Sequence, residues 1–169
     1  ALGGTQQLPE QERHTLPEEY LNDRLAVMLG GRAAEKTLLG SVSSGADEDI
    51  RQATQLARAM VARWGMSEDI GPVDLRESEE HPFLGREMAQ PRRYSEHSAQ
   101  AVDEAVQKLL MDAENRAKQL LLEHAAALQT LVADLERKET LERKDIEKCL
   151  GTPQSKSRSG GNAYRAANV

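Results

Sequence analysis

Apolar residues recur at the period of an α-helix in several stretches of the chain, and polar segments separate these stretches. The only segment with strand character is "ALGGTQQLP" at residues 1–9, where two glycines weaken the pattern and Pro9 ends it. The pattern therefore predicts an all-α, mainly helical, bundle-like domain with at most one short edge strand. The predicted helical stretches are 15–40, 44–65, a long helix that Ser95 caps and whose apolar residues run from Val102 to Leu121, and a further stretch with apolar residues from Leu128 to Leu135. A turn at Thr140 and a last short helix through Leu150 follow.

The first helical stretch has a readable beginning and an interruption. Thr15 followed by Glu18 matches a capping box, and Pro17 suits the first turn because its missing N–H has no intrahelical partner there. Gly30 and Gly31 come later in the stretch, and each costs about 1 kcal/mol relative to Ala in a helix. They indicate either a break between two helices or a surface of small residues that another backbone can approach closely.

The second helical stretch begins with acidic residues, and one of them differs from the others in direction. Ser44 is predicted as the N-cap, and Asp47 and Glu48 lie off the apolar stripe, where they favour the helix dipole. Asp49 lies only about 60° from the centre of that stripe and is predicted to point inward. A buried carboxylate needs a partner, which here is an arginine, the N–H groups of the helix or a metal. The stripe consists of Ile50, Ala53, Leu56, Ala57, Met60, Val61 and Trp64.

Composition narrows the class of protein without naming a function. Hydrophobic residues make up 38% of the chain but aromatic residues only 3%, so Ala and Leu must fill the core, as is typical of helical proteins. The net charge of −6 argues against a nucleic-acid-binding protein. A single cysteine, Cys149, excludes an internal disulfide and favours a reducing compartment. Because the chain begins at Ala1 rather than Met, we expect a piece of a longer protein.

Two domain-level segments follow from these patterns. Residues 1–150 are expected to form one helical domain, with a long polar connection over 66–93. Residues 151–169 are rich in Gly and Ser and basic, which predicts a disordered tail. The four histidines are scattered, and no two have the i, i+4 spacing of a helical metal site. Composition and spacing thus yield a helical domain with one inward carboxylate.

Five motifs, taken in order, resemble the peptidase domain of the FtsH family of ATP-dependent, membrane-anchored zinc proteases. The resemblance extends from Ala1 to about Leu150. It implies a bundle-like peptidase domain at 1–150 and a zinc cofactor. The motifs are "ALGGTQQLPEQER", "LAVMLGGRAAEKTLLG", "VSSGADEDIRQATQLARAMVARWGMSEDIGPV", "FLGRE" and "DIEKCLG".

The resemblance assigns roles to particular residues. Asp49 matches the acidic third zinc ligand that opens the family's G-A-x-x-D-[IL]-x-x-A-T helix, and zinc accepts carboxylate oxygens. Glu35 matches the glutamate of the GGRxAE motif and is expected to orient a zinc ligand from outside the coordination sphere. Leu2 and Thr5 match the strand beside the cleft, where a substrate peptide is expected to pair as an added strand.

One departure from the family limits what this chain is expected to do alone. The HExxH segment, which carries two histidine ligands and the general-base glutamate, is absent from the 169 residues. We expect a catalytically incomplete part of a protease that hydrolyses unfolded or membrane proteins. The alternative is a non-catalytic FtsH-like module for interaction or assembly.

The resemblance also implies partners that lie outside this chain. A separate domain of the family uses ATP, and protein or peptide substrates are fed into a homo-hexameric ring. No nucleic acid is expected as a partner. Membrane anchoring is expected only through segments that this chain lacks, with the domain itself in the cytoplasm or in an organellar matrix or stroma.

Overall fold

The structure, a computed structural model, describes residues 15–75 and 95–151, and all regular elements within these two ranges are helical. The all-α class predicted from the sequence is confirmed. The strand predicted within 1–9 and all but the first residue of the tail predicted at 151–169 lie outside the described residues. The α-helices of the described ranges are α1 (Glu18–Ala34), α2 (Asp47–Ala62), α3 (Glu96–Glu123), α4 (Ala125–Lys138) and α5 (Arg143–Leu150).

The beginning of α1 differs from the predicted capping box. The cap position is Pro17, whose backbone is extended (φ −62°, ψ 149°), and no side chain caps the helix there. The carbonyl of Pro17 accepts a hydrogen bond from Leu21 N at 3.2 Å. The cap predicted at Thr15 is therefore wrong, because the fixed φ of Pro17 makes this residue the boundary of the helix.

No break occurs at the two glycines of α1. The helix continues through Gly30 and Gly31 to Ala34, which excludes the first of the two alternatives, a break between two helices. A Cβ atom added at either glycine would meet nothing within 4 Å, so no backbone of the described residues approaches them closely. Ala33 is buried instead, and it packs with Ala26 and Ala117.

Among residues 15–75 and 95–122, the core is built from the first three helices, as the apolar faces predicted. Leu21 and Leu25 of α1, Ala53 and Met60 of α2, and Val102 of α3 are 0–1% exposed and belong to one cluster. Burying a leucine side chain stabilises the fold by about 1.5–3 kcal/mol relative to leaving it in water. Ile50 and Trp64 were placed on the same stripe of α2, but they are 39% and 42% exposed.

Residues 123–151, the described part of a second compact unit, contain α4 and α5, which pack as a helical hairpin. The predicted turn near Thr140 and the last short helix are confirmed. Cys149 is half-buried, and its Sγ atom lies 4.0 Å from a carboxylate oxygen of Asp134. None of the helices in the described ranges has the length and apolar character needed to cross a bilayer.

Candidate functional site

The first turn of α2 carries the predicted zinc ligand and is open to solvent. Asp47, Glu48, Asp49 and Ile50 are all exposed, whereas Ala53, one turn later, is fully buried. The prediction that Asp49 points into an interior is therefore wrong for this chain. The reason is that the packing which buries Ala53 does not extend over the first turn of α2, so no described element covers the side of Asp49 nearest the stripe. The assignment of Asp49 as a metal ligand stays a prediction.

Two neighbouring acidic residues of this turn, Glu48 and Asp49, differ in their side-chain partners. The carboxylate of Glu48 accepts hydrogen bonds from Arg51 Nε (2.8 Å) and Nη2 (2.6 Å) and from Gln52 Nε2 (2.7 Å). The bonds from Arg51, and then that from Gln52, lower the pKa of Glu48 to about 2. Within residues 15–75 and 95–151, no side chain forms a hydrogen bond or ion pair with Asp49. An arginine was one of the three kinds of partner predicted for Asp49, but Arg51, the nearest arginine in sequence, pairs with Glu48 instead.

Glu35 connects the end of the first helical segment to the beginning of the second. Its Oε2 accepts a hydrogen bond from the backbone N–H of Ser43 at 2.8 Å, and its Oε1 accepts one from Ser43 Oγ at 2.7 Å. These bonds, side chain first and backbone second, lower the pKa of Glu35, and the charge of Arg32 adds to the effect. The carboxylate is thereby held in its charged form, and we call this arrangement of Glu35 and Ser43 the loop clamp.

The backbone between the two helices brings the partners of the loop clamp together. A π-helical turn over Glu35–Leu39 follows α1, and Gly40 adopts the left-handed conformation (φ 70°) that glycine tolerates best. The chain then returns to Ser43, whose Oγ accepts a hydrogen bond from Gly45 N at 3.2 Å and caps a 3₁₀ turn over Ser44–Ala46. The helix cap predicted at Ser44 is therefore wrong: Ser43 caps the 3₁₀ turn, and the cap position of α2 itself is Ala46, where no side chain caps the helix.

Ser43 is the functional candidate that sequence reasoning missed. "SVSSGADED" offers two adjacent serines before the acidic run, and either can cap a helix. The deciding contact comes from Glu35, eight residues earlier, through a turn of unusual winding. No spacing rule for local caps covers that distance.

The described residues do not form a complete metal site. No group of three or more His, Cys, Asp or Glu side chains that could hold a metal occurs within these ranges. Catalytic zinc takes three protein ligands, of which the first turn of α2 offers one carboxylate at Asp49. Leu2 and Thr5, predicted to bind substrate, lie outside the described residues.

Comparisons with known proteins cover almost the whole chain. The profile of the family described as "Peptidase family M41" matches residues 1–149. A curated protein named "ATP-dependent zinc metalloprotease FtsH" from Hahella chejuensis is 65% identical over 155 residues, which are 92% of this chain and 25% of that protein. Proteins of the same name from Nitrosococcus oceani (48% over 162 residues) and Marinobacter nauticus (45% over 156 residues) match 96% and 92% of this chain and 25% of their own length. The chain thus spans about a quarter of the relatives it matches.

Proposed function

This chain belongs to peptidase family M41, and from that premise we propose that it is part of the peptidase module of an ATP-dependent zinc metalloprotease. The observation that carries the proposal is the match of residues 1–149 to the family, together with 65% identity to a relative of that name. The reaction is hydrolysis of peptide bonds in protein substrates. The described residues do not complete the site, so the remaining groups belong to other parts of the protein.

Within that module, we assign Asp49 the role of one zinc ligand. It occupies the acidic position of the family motif, its carboxylate has no side-chain partner among the described residues, and it stands on an exposed helix turn. An HExxH segment outside these 169 residues supplies the two histidines and the general base. Zinc bound by the complete set of ligands lowers the pKa of a bound water molecule.

An uncovered face of α1 supports the placement of that further segment. Val27 of α1 and Leu38 of the π-helical turn that follows it are each 61% exposed, and a Cβ atom added at Gly30 or Gly31 would meet no described atom within 4 Å. Apolar side chains flanking small residues favour the close packing of another helix. We propose that the HExxH helix lies along this face of α1.

The wider arrangement is also part of the proposal. Residues 1–9 receive the substrate peptide as an added strand, with Leu2 and Thr5 in contact with it. A separate ATPase domain drives unfolded or membrane proteins into a homo-hexameric chamber. The domain described here works in the cytoplasm, or in an organellar matrix or stroma, and other parts of the protein anchor it to the membrane.

One observation favours a second candidate function. Residues 15–75 and 95–151 form packed helical units, yet they offer one candidate ligand and no group of three. A non-catalytic module for interaction or assembly, of the same descent, fits that combination.

Casein cleavage separates the two candidates. We expect the 169-residue chain alone to leave casein intact with zinc present, because it supplies one ligand and no HExxH base. The longer protein that contains this chain is expected to cleave casein, and a zinc chelator is expected to stop it. Chelator-sensitive cleavage by the chain alone would overturn the incomplete-site proposal, and an inactive longer protein would favour the assembly module.

Replacement of Asp49 tests the ligand assignment within the longer protein. We expect Asp49→Asn to abolish cleavage and to weaken zinc binding, because the amide is a poorer zinc ligand than the carboxylate, while helix content by circular dichroism stays unchanged. Asp47→Asn is the matched control on the same exposed turn and should retain activity. Full activity of Asp49→Asn would remove this residue from the site.

A further inference from the structure

The contacts between α4 and α5 fix how the two helices of the hairpin face each other. Close to the turn, Lys138 Nζ lies 2.9 Å from Asp145 Oδ1. One helical turn further from it on each helix, Cys149 Sγ lies 4.0 Å from Asp134 Oδ2. The helices therefore run antiparallel, and Asp134 and Cys149 lie on the sides that face each other.

Apolar side chains occupy one outer side of this hairpin. Leu135 follows Asp134 and Leu150 follows Cys149, a rotation of about 100° in each helix. In an antiparallel pair, equal rotations turn both side chains to the same side of the hairpin. Val132, three residues before Leu135, shares that side. We call Val132, Leu135 and Leu150 the hairpin face, and they are 46%, 45% and 48% exposed.

The hairpin face has no cover among the described residues, although the hairpin needs one. Neither α4 nor α5 contains a buried residue. A unit this short cannot build a sufficient core from its own side chains. Removing three half-exposed apolar side chains from water would be favourable. We therefore expect a further segment to lie on this face.

Negative charge borders the hairpin face at one end. Glu136 and Glu139 each follow a residue of the α4 part of the face by four positions, so they continue the same side of the helix. Both are exposed, and their carboxylates form no ion pair or side-chain hydrogen bond within the described ranges. The cations of the last turn of α4, Arg137 and Lys138, are already paired with aspartates. The cover that fits this edge is therefore basic.

Residues 152–169 have the composition that this edge and face require. They contain Lys156, Arg158 and Arg165 and no Asp or Glu, so their charge is opposite to that of the unpaired glutamates. Tyr164 is the only aromatic residue among them, and it adjoins Arg165. A tyrosine buries a large apolar area and keeps a hydroxyl for water, which suits a half-open face.

The covalent connection favours this segment over a separate partner. It follows α5 directly, and the Gly- and Ser-rich stretch 152–161 has a typical end-to-end distance of about 16–19 Å. The 14 residues of α4 extend over about 21 Å, so the remaining residues can reach the face. A tether of this length gives an effective concentration in the millimolar range, so an intrinsic Kd of about 1 mM suffices.

We propose that residues 162–169 of this chain dock on the hairpin face, with Tyr164 as the apolar anchor and Arg165 beside Glu136 and Glu139. The composition of 152–169 does not support a core of its own, and the hairpin face supplies the apolar partner that this segment lacks. The inference does not depend on the proposed function, because Asp49 lies in the other compact unit.

The test uses Cys149, the only thiol of the chain, which adjoins Leu150 and reports whether the face is covered. The measurement is the rate of its alkylation by iodoacetamide in the 169-residue chain at constant pH, followed by mass spectrometry. We expect a chain that ends at Gly151 to react about two- to fivefold faster, because a tethered segment at millimolar effective concentration gives protection of that order. Losing three nearby cations disfavours the thiolate and slows alkylation, so charge alone has the opposite effect.

Point substitutions separate the anchor from the charges. Tyr164→Ser keeps the tail and its cations and should give most of the increase in rate. Glu139→Gln should also speed alkylation, whereas Glu123→Gln, the matched control away from the face, should not. In the chain that ends at Gly151, Glu139→Gln should add nothing, because the segment that it contacts is gone.

Each other outcome overturns the proposal. An unchanged alkylation rate in the shortened chain, with helix content by circular dichroism retained, means that the tail does not cover the face. If the shortened chain loses helix content, an unchanged rate in Tyr164→Ser has the same meaning. Protection that persists without the tail and rises with protein concentration assigns the face to a second copy of the chain. Equal rates in Glu123→Gln and Glu139→Gln remove the charge pairing on which the docking is argued.

Discussion

Two connections between helices in this chain solve the same problem by different means. The connection before α5 has a capping box, in which Glu142 and Asp145 satisfy each other's backbone N–H groups three residues apart, and Asp145 also pairs with Lys138 at 2.9 Å. The connection before α2 draws its carboxylate from Glu35, eight residues before the cap at Ser43. A helix start is stabilised locally in the first case and from a distance in the second.

The difference shows in what remains available at each helix start. At α5 the acidic residue of the first turn, Asp145, is engaged by both the backbone and a lysine. At α2, Glu35 lies outside the helix and holds the capping residue Ser43, so no acidic residue of the first turn is needed for capping. Asp49 has no side-chain partner within the described ranges. Capping from a distance thus leaves a carboxylate for other chemistry.

The largest expected effect on stability comes from the turn that closes the longer connection. Gly40 has φ 70°, and a Cβ added there would meet no atom within 4 Å, so the cost of Gly40→Ala is backbone strain alone. We expect a loss of about 1–2 kcal/mol in the free energy of unfolding. Trp64 is the only tryptophan of the chain and lies in the same compact unit, so its fluorescence in urea should report the loss. An unchanged midpoint would contradict the role given to this turn.

A smaller effect of opposite sign is expected at the shorter connection. Glu139 ends α4 with φ 61°, a conformation that costs a residue with a side chain more than it costs glycine. We expect Glu139→Gly to raise the free energy of unfolding by about 0.5–1 kcal/mol, after the larger entropy of glycine in the unfolded chain is subtracted. Helix content by circular dichroism in urea measures the change. Glu136→Gly, within α4, is the control and should destabilise.

The smallest expected effect concerns the stability of the fold at acidic pH. The pKa of Glu35 is lowered from 4.5 by its bonds to Ser43, and that of Asp145 is lowered from 3.8 by Lys138 and then by the N–H of Glu142. A lowered pKa stabilises the fold above the unfolded value, and this is lost as pH falls through the folded value. Glu35→Gln should therefore flatten the fall in stability below pH 4.5, and Asp145→Asn should flatten it below pH 3.8. Urea titrations between about pH 6 and about pH 2.5, in steps of about one pH unit, would give the free energy of unfolding at each pH. If the two carboxylates were free in water, both variants would show the same pH dependence as the wild-type chain.

Elements governed by local rules could be predicted from the sequence. Ser95 precedes an apolar pattern of helical period, and its Oγ accepts a hydrogen bond from Ser98 N at 3.2 Å at the start of α3, as predicted. The buried faces of α2 and α3 follow from the same period, because burial of apolar side chains dominates their energetics.

Contacts set by tertiary structure could not be predicted in the same way. The inward direction of Asp49 was inferred from the helix alone, whereas exposure depends on which neighbours cover that turn. The pairing of Glu35 with Ser43 needs a winding that no periodic pattern indicates. The motif match gave Asp49 and Glu35 as candidate site residues, and the structure supplied the contact that relates Glu35 to the start of α2.

The π-helical turn makes the number of residues in the connection matter. Because its hydrogen bonds run from residue i to i+5, the Glu35–Leu39 segment winds more residues into one revolution than an α-helix does. Removing a single residue there would let ordinary α-helical winding complete the same revolution with fewer residues, and it would shorten the path by which the chain returns from Glu35 to Ser43. Substitutions in this segment are then far better tolerated than deletions, and relatives that keep the loop clamp should differ here in residue type but not in length.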